Sequence, residues 1–320
     1  MKKERTQCVT SIGGQALMEG IMMRGPFKTT VGVRKHDGTI ELEEIQPLNL
    51  TKKYKLLRLP LLRGVAGMID SLVTGNKALM LSADKAMEGE EVPEEEVSKF
   101  DQWLDKHFGE KTISFIMGAS VVLGVAIAIA VFFFLPTLLF NWLASALPFL
   151  NDHMIWRSAF EGIMRIILFL IYMALVTLNK DIKRVFQYHG AEHKTIFCYE
   201  HGLDMTVENV RIQSRFHPRC GTSFIVLMLI VGILIGLFIP FTNVWLRTAT
   251  KILLLPLTVG LGYELIRICG RYDNIVTRII AAPGIWMQHL TTKEPKDEMI
   301  EVAIAAMKDV IPANGEDIIR

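Results

Sequence analysis

Apolar and polar residues alternate over residues 29–45, "TTVGVRKHDGTIELEEI", around Asp37-Gly38. That pattern predicts a β-hairpin, because a type I′ turn needs the positive φ that glycine tolerates. The preceding "SIGGQALMEGIMMRGP" is rich in glycine and reads as tight turns of the same small sheet. A phosphate-cradling loop would need a strand, a glycine loop and a helix in sequence with Lys-Ser or Lys-Thr, and that order is not present. Residues 1–50 are therefore expected to form a small β-rich unit.

The period changes to helical over residues 60–83, "PLLRGVAGMIDSLVTGNKALMLSA", with Pro60 suited to a first turn. Arg63, Asp70 and Lys77 recur every seven positions and make one narrow polar stripe on an otherwise apolar helix. Such a helix is expected to be buried, on the membrane surface or against membrane helices. Three charges and three glycines argue against a full span. The acidic stretch 88–111 reads as a solvated linker into a short amphipathic helix, completing a segment 51–111.

Longer apolar runs follow at about 113–135, 160–178, 222–241 and 250–268, each close to the ~20 residues that cross a bilayer as a helix. Residues 136–152, with Trp142 and two prolines, are expected to finish the first span and form an interfacial piece. Glu161 and Arg165 lie one turn apart in the second run and can pair with each other. The fold class is thus mainly α: about four transmembrane helices, a β-rich N-terminal unit and amphipathic helices. The segments are 112–178 with two spans, 179–221 a His-rich loop or helix, 222–270 with two spans, and 271–320 interfacial and C-terminal helices. In that tail, "PGIWMQHL" reads as an interfacial helix anchored by Trp286. Residues 296–310 read as a soluble amphipathic helix with Met299, Val302, Ala303 and Ala306 on one face.

Composition supports the membrane assignment: 51% of the 320 residues are hydrophobic and the mean hydropathy is +0.33, above the range of soluble domains. A formal charge of +2 and the lack of a basic tract exclude nucleic acid as the expected partner. The first 15 residues carry charge without an apolar core behind it, so no cleavable signal peptide is expected. Only Arg157 lies between the first two runs, whereas Lys180, Lys183, Arg184, Lys194, Arg211, Arg215 and Arg219 lie between the second and third. The positive-inside rule then places both termini and residues 179–221 in the cytoplasm. The four cysteines are widely spaced and all fall on that side, consistent with a reduced compartment.

Within that cytoplasmic segment stands "QYHGAEHK", which contains H-x-x-E-H. On a helix over 180–200, His189, Glu192, His193 and Ile196 share one face. Two imidazoles one turn apart can hold one divalent metal, most simply zinc, and a carboxylate on that face can take a proton from water at the metal. Zinc needs a third ligand. His217 and Cys220 in "RFHPRCGTSF" and Glu264 in "GYELIRICG" are the candidates, all near the cytoplasmic boundary. An ion pair of Glu264 with Arg267 or Arg271 is the competing assignment. Cys198 is expected as a buried thiol and His201 as a helix-end residue; His289 and Glu294 are secondary candidates for the site. His36, His107 and His153 have no partners in sequence.

The set "GGQALMEGIMMRGP", "YHGAEHKTIFCYE", "HPRCGTSF" and "QHLTTKEP" resembles the YqhQ-like family of bacterial membrane proteins over nearly the whole chain. The resemblance implies a multi-pass protein of the bacterial cytoplasmic membrane with a metal site at His189, His193 and His217. That family is described as predicted metal-dependent enzymes of unknown function, so the resemblance carries no substrate.

Two functions follow as expectations. One is a peptidase-like metal-dependent hydrolase acting on a membrane-associated protein or peptide, with Glu192 as general base and His189, His193 and His217 or Glu264 as ligands. The other is a non-catalytic assembly protein with a closed structural metal site that includes Cys220. A transporter is the weaker third idea, because the runs show no paired broken helices and few midplane charges. The lipid bilayer is the expected partner of such a chain, and the residues leave the oligomeric state open.

Overall fold

The structure is a computed structural model, and it describes residues 8–88, 110–151, 153–272 and 274–319. The acidic linker, His107 included, lies almost wholly outside the described residues. The named elements run in chain order β1 Gly13–Leu17, β2 Gly20–Arg24, β3 Thr29–Arg34, β4 Ile40–Glu44, α1 Leu62–Met87, α2 Glu110–Ile129, α3 Leu135–Ala146 and α4 Met154–Val176. They continue as α5 Lys180–Glu200, α6 Val207–Arg211, α7 Gly221–Gly236, α8 Val244–Leu253, α9 Leu255–Arg271, α10 Ile275–Thr291 and α11 Asp297–Val310. Two compact units are formed, one from Met1–Glu88, Ile171–Val231 and Pro256–Arg320, the other from Gly89–Leu170 and Gly232–Leu255.

The first unit is built on an antiparallel sheet in the order β1-β2-β3-β4. The Asp37-Gly38 hairpin is present, joining β3 to β4 with Arg34 opposite Ile40. Its loop is longer than a two-residue turn: Gly38 alone takes positive φ, at 85°, and Asp37 Oδ1 accepts from Thr39 N at 2.8 Å. Alternation along β2 separates two cores, as the strand period of two requires. Ile21 and Met23 pack with α11 and α5 residues such as Met299, Met307 and Tyr188. Met22 packs on the other face with Leu17, Val31, Val33 and Ala78 of α1. Gly32 lets α11 approach, since a Cβ there would lie 3.2 Å from Ala306 Cβ. In α11, Met299, Val302, Ala303 and Ala306 are all buried, so the amphipathic face expected from sequence is the one that packs.

Helix α1 reverses the expectation for its faces. It buries Gly64, Ala66, Asp70, Thr74, Gly75, Ala78 and Ser82 and exposes Leu62, Ile69, Leu72, Val73, Leu79 and Met80. Two of its three charges explain this. Asp70 is held by Arg24 Nη2 at 2.6 Å and by Asn49 N at 2.9 Å, and Arg63 forms a two-pronged pair with Glu264.

Among the described residues two stretches are long and apolar enough to cross a membrane, Ala119–Ala146 and Met154–Val176, and the bent pair α8–α9 makes a third if it counts as one span. Helix α7 is apolar but only 16 residues long, roughly 24 Å at 1.5 Å per residue. The length criterion therefore gives two to three spans rather than about four. The first span continues past residue 135, as expected of the stretch that follows it, and ends at Ala146. A π-helical segment, Ala130–Phe134, carries it into α3. Pro136 has no N–H to donate back to Phe132 O, and within the second unit Arg165 Nε donates to that carbonyl at 3.0 Å.

Candidate metal centre

Helix α5 spans residues 180–200 as its sequence predicts, and Asn179 caps it by accepting from Asp181 N and Ile182 N. It is buried on nearly every side from Tyr188 to Ile196. The β1–β2 hairpin holds its first half. Glu19 accepts from Arg184 Nη2 at 2.6 Å and from Tyr188 Oη at 3.2 Å. Gly190 holds the second contact. A Cβ there would lie 2.1 Å from Lys293 O, so only glycine lets the chain after α10 cross α5 at that point.

That crossing orients His189. Its Nδ1–H donates to Thr291 O at 2.8 Å, which leaves Nε2 as the ring's acceptor, 3.1 Å from Cys220 Sγ. His193 repeats the arrangement: Nδ1–H donates to Arg215 O at 2.6 Å, and its Nε2 is buried with no hydrogen-bond partner among the described residues. One ring nitrogen of each of the two histidines and Cys220 Sγ all lie within 4.8 Å of one another. Ligand atoms around a tetrahedral zinc stand about 3.5 Å apart, given Zn–N and Zn–S bonds of ~2.0 and ~2.3 Å. A histidine whose second nitrogen donates to a backbone carbonyl is the usual oriented metal ligand. The orphaned His193 nitrogen is thus one a cation would satisfy, and the donor set of two imidazoles and a thiol suits zinc.

Electrostatics prepare both the thiol and the adjacent acid. Burial pushes the Cys220 thiol up, but the His193 imidazole and the hydroxyl and N–H of Thr222 outweigh it, and its pKa falls below the ordinary value. The Thr222 N–H belongs to the first turn of α7 and lies 3.4 Å from Sγ, the position in which helix N-termini favour thiolate. Glu192 is buried. Desolvation raises its pKa to about 7; Cys220 adds to the rise, while His189 and a hydrogen bond from the Gly14 backbone oppose it. A Cβ on Gly14 would sit 3.0 Å from Glu192 Cδ, so β1 needs glycine where the carboxyl rests. Burial lowers the pKa of His193, which favours the neutral form that can coordinate a metal.

Of the residues expected at the site, the structure brings His189, His193, Cys220 and Glu192 together. His217 is a neighbour turned elsewhere. Its ring centroid is 5.5 Å from that of His193, but its Nε2 faces Glu200 Oε2 at 3.7 Å and its Nδ1 accepts from Arg219 N at 3.4 Å. Glu264 is occupied by Arg63, not by Arg267 or Arg271. Glu294 pairs with Lys194 and Arg215, and the His289 ring packs against Phe216 in a tilted contact, with centroids 4.4 Å apart. Cys198 is a fully buried thiol, and His201 caps α5.

The supporting residues were not singled out from sequence. Glu200 is buried, ion-paired with Arg219, and accepts from Thr10 N at 2.9 Å. Gln288 clamps the His217 backbone from both sides, with its Oε1 accepting from His217 N and its Nε2 donating to His217 O, each at 2.7 Å. Glu200 had a signal: it continues the α5 stripe of His189, His193 and Ile196 at i+11. Gln288 had none, because its partners are backbone atoms of a distant loop.

Comparison with known proteins adds the family. Residues 59–313 match the model of a family described as proteins of unknown function, DUF1385. The chain is 36% identical over 302 residues to the uncharacterized protein YqhQ of Bacillus subtilis strain 168, covering 93% of this chain and 92% of that one. No solved structure matches.

Proposed function

Since the chain belongs to the DUF1385 family, whose description assigns no activity, its function is argued from the site, and we propose that it is a membrane-embedded, metal-dependent hydrolase. The observation that carries this is the convergence of two oriented imidazole nitrogens and one thiol beside a buried carboxyl group. Three protein ligands with one position left over is the pattern of catalytic rather than structural zinc. His189, His193 and Cys220 would hold the ion. Bound there, zinc supplies Lewis acidity and lowers the pKa of coordinated water.

Glu192 does the proton work. A carboxyl group titrating near 7 is matched to the pH at which it must both take and return a proton. In hydrolysis it accepts the proton of the attacking water and delivers it to the leaving group. The Gly14 backbone and α5 fix its position, and burial keeps bulk water from competing. We read the substrate as a peptide or protein bond at the cytoplasmic membrane face. The four apolar runs then act as four spans with both termini cytoplasmic, α7 and the bent α8–α9 pair serving as the last two.

A second reading rests on burial: His193 and Cys220 are almost inaccessible, as in a metal that holds α5 to the start of α7 in a non-catalytic assembly protein. Metal content of the detergent-purified chain, beside His193→Ala, tests the site itself. Near-stoichiometric zinc or iron, lost in the variant, is expected. No metal above background after reconstitution would overturn both readings. Glu192→Gln separates them, keeping metal in either case but losing cellular function only under the catalytic one.

A further inference from the structure

The first unit carries a cationic and apolar surface that the proposed hydrolase does not use. Residues 46–69 contain Lys52, Lys53, Lys55, Arg58 and Arg63 and no acidic residue. Arg63 is neutralised by Glu264, and the other four are exposed. Among the described residues these four meet no carboxylate: Arg58 donates to the carbonyls of Thr51 and Lys52, and Lys53 lies over the Tyr54 ring, 5.6 Å from its centroid. They stand on two short helical turns, Leu50–Lys53 and Lys55–Arg58, in which no residue is buried. Tyr54, Leu56 and Leu59 are exposed among them.

Helix α1 continues this surface. Leu62, Ile69, Val73 and Met80 stand at i, i+7, i+11 and i+18, one stripe along a helix, and all four are exposed. Leu72 and Leu79 widen the stripe. The opposite face is fixed to protein. A Cβ on Gly64 would lie 2.7 Å from Tyr263 Cβ, so the start of α1 lies directly against α9, whose residues belong to the last of the long apolar runs. Asp70 is tied to Arg24 and Asn49. Held on that side, the helix cannot turn its large apolar side chains inward. An exposed apolar patch of this kind marks a protein or a membrane interface. The charges choose between the two. Protein interfaces are depleted in lysine, and a second copy docking through the same face brings no carboxylate of residues 46–69 to meet the cations. Lysines beside tyrosine and leucine at the end of an amphipathic helix instead match the headgroup layer of an anionic leaflet.

We propose that residues 50–59 and the exposed stripe of α1 together dock on an anionic phospholipid surface, with Lys52, Lys53 and Lys55 at the headgroups and the leucines among the acyl chains. This docking presupposes the membrane-embedded chain proposed above and is independent of the metal. The full chain is reconstituted in nanodiscs of phosphatidylcholine alone or mixed with phosphatidylglycerol, and amide hydrogen exchange is followed across residues 50–62. Exchange at least about tenfold slower with phosphatidylglycerol is expected, and the difference should vanish in K52Q/K53Q/K55Q and in high salt. Arg58 stays in place because it closes the turn onto Thr51 and Lys52. Should the triple variant fail to fold, the salt titration of the wild-type chain still decides. Equal exchange in the two discs overturns the proposal and leaves membrane embedding intact, as does a difference that survives high salt or the triple variant. Protection that is present in detergent and grows with protein concentration assigns the face to a second copy and also overturns it. A chain that enters neither disc overturns the embedding and the docking together.

Discussion

At the scale of single residues, His193 shows why H-x-x-E-H is more than a pattern here. Its Nδ1 is committed to the Arg215 carbonyl, and the buried Nε2, with no hydrogen-bond partner among the described residues, keeps a lone pair that a metal could take up. Cys220→Ser exchanges a soft ligand for a weak neutral oxygen. We expect it to lower zinc affinity by at least tenfold while His217→Ala, whose ring faces Glu200, leaves zinc stoichiometry unchanged; metal analysis after dialysis against a weak chelator checks both. Loss of metal in His217→Ala with retention in Cys220→Ser would mean that His217, not Cys220, is the third ligand. The pairing of His189, Glu192 and His193 was legible in the sequence because helix periodicity alone puts them on one face. The choice among Cys220, His217 and Glu264 was not. It depends on which competing partners, Glu200 for His217 and Arg63 for Glu264, arrive from segments remote in sequence.

At the scale of elements, the contacts that aim these side chains are backbone contacts, and they leave little trace in a sequence. Gly190 is the clearest, because a methyl group there would meet Lys293 O at 2.1 Å. Gly190→Ala is expected to push the segment after α10 off α5, breaking the His189–Thr291 bond. The cost should be about 1–3 kcal/mol, as for other overpacked sites. A lowered melting temperature together with weaker metal binding would agree; a fall in stability with unchanged metal affinity would count against that segment as the orienting element. Helix α11 is tied to the sheet through Asp309, which accepts from Thr30 Oγ1 at 2.6 Å and pairs with Lys28 at 2.6 Å. The Lys28 ammonium, then Thr30, hold its pKa below the ordinary carboxylate value. A depressed carboxylate contributes stability above its unfolded pKa and loses it as pH falls through the folded one. Asp309→Asn should therefore reduce stability at neutral pH and flatten its decline at acid pH, read from melting curves between roughly pH 3 and 7. The amphipathic period of α11 revealed its inner face directly. That of α1 did not, because its small and polar residues face protein and its large apolar ones do not. For a chain in a bilayer, apolar surface needs no protein cover, so hydrophobicity there stops reporting burial.

At the scale of the whole molecule, the number of crossings decides on which side of the membrane the proposed metal site would lie. Among the described residues two stretches, Ala119–Ala146 and Met154–Val176, satisfy the length criterion. Three would put the termini on opposite sides, whereas two or four keep both on the side of α5. The segment after α7 separates the last two cases, since Thr242 is exposed to the outside only if α7 and the bent α8–α9 pair both cross. With α5 on the cytoplasmic side, His153, between α3 and α4, would be outside in either. We expect Thr242→Cys and His153→Cys, each in an otherwise native chain, to react with an impermeant maleimide in intact cells. Cys8 and Cys269 should stay unlabelled until the membrane is permeabilised, and the buried Cys198 and Cys220 until the chain is also unfolded. Labelling at position 153 but not 242 would reduce the protein to two crossings, leaving α7 through α9 on the cytoplasmic side. The hydrolase reading survives that result, because His189, His193, Cys220 and Glu192 all belong to the first unit. A C-terminal tag found outside the cell would not be so benign. It would imply an odd number of crossings and contradict the Lys and Arg asymmetry from which the cytoplasmic placement of α5 was argued.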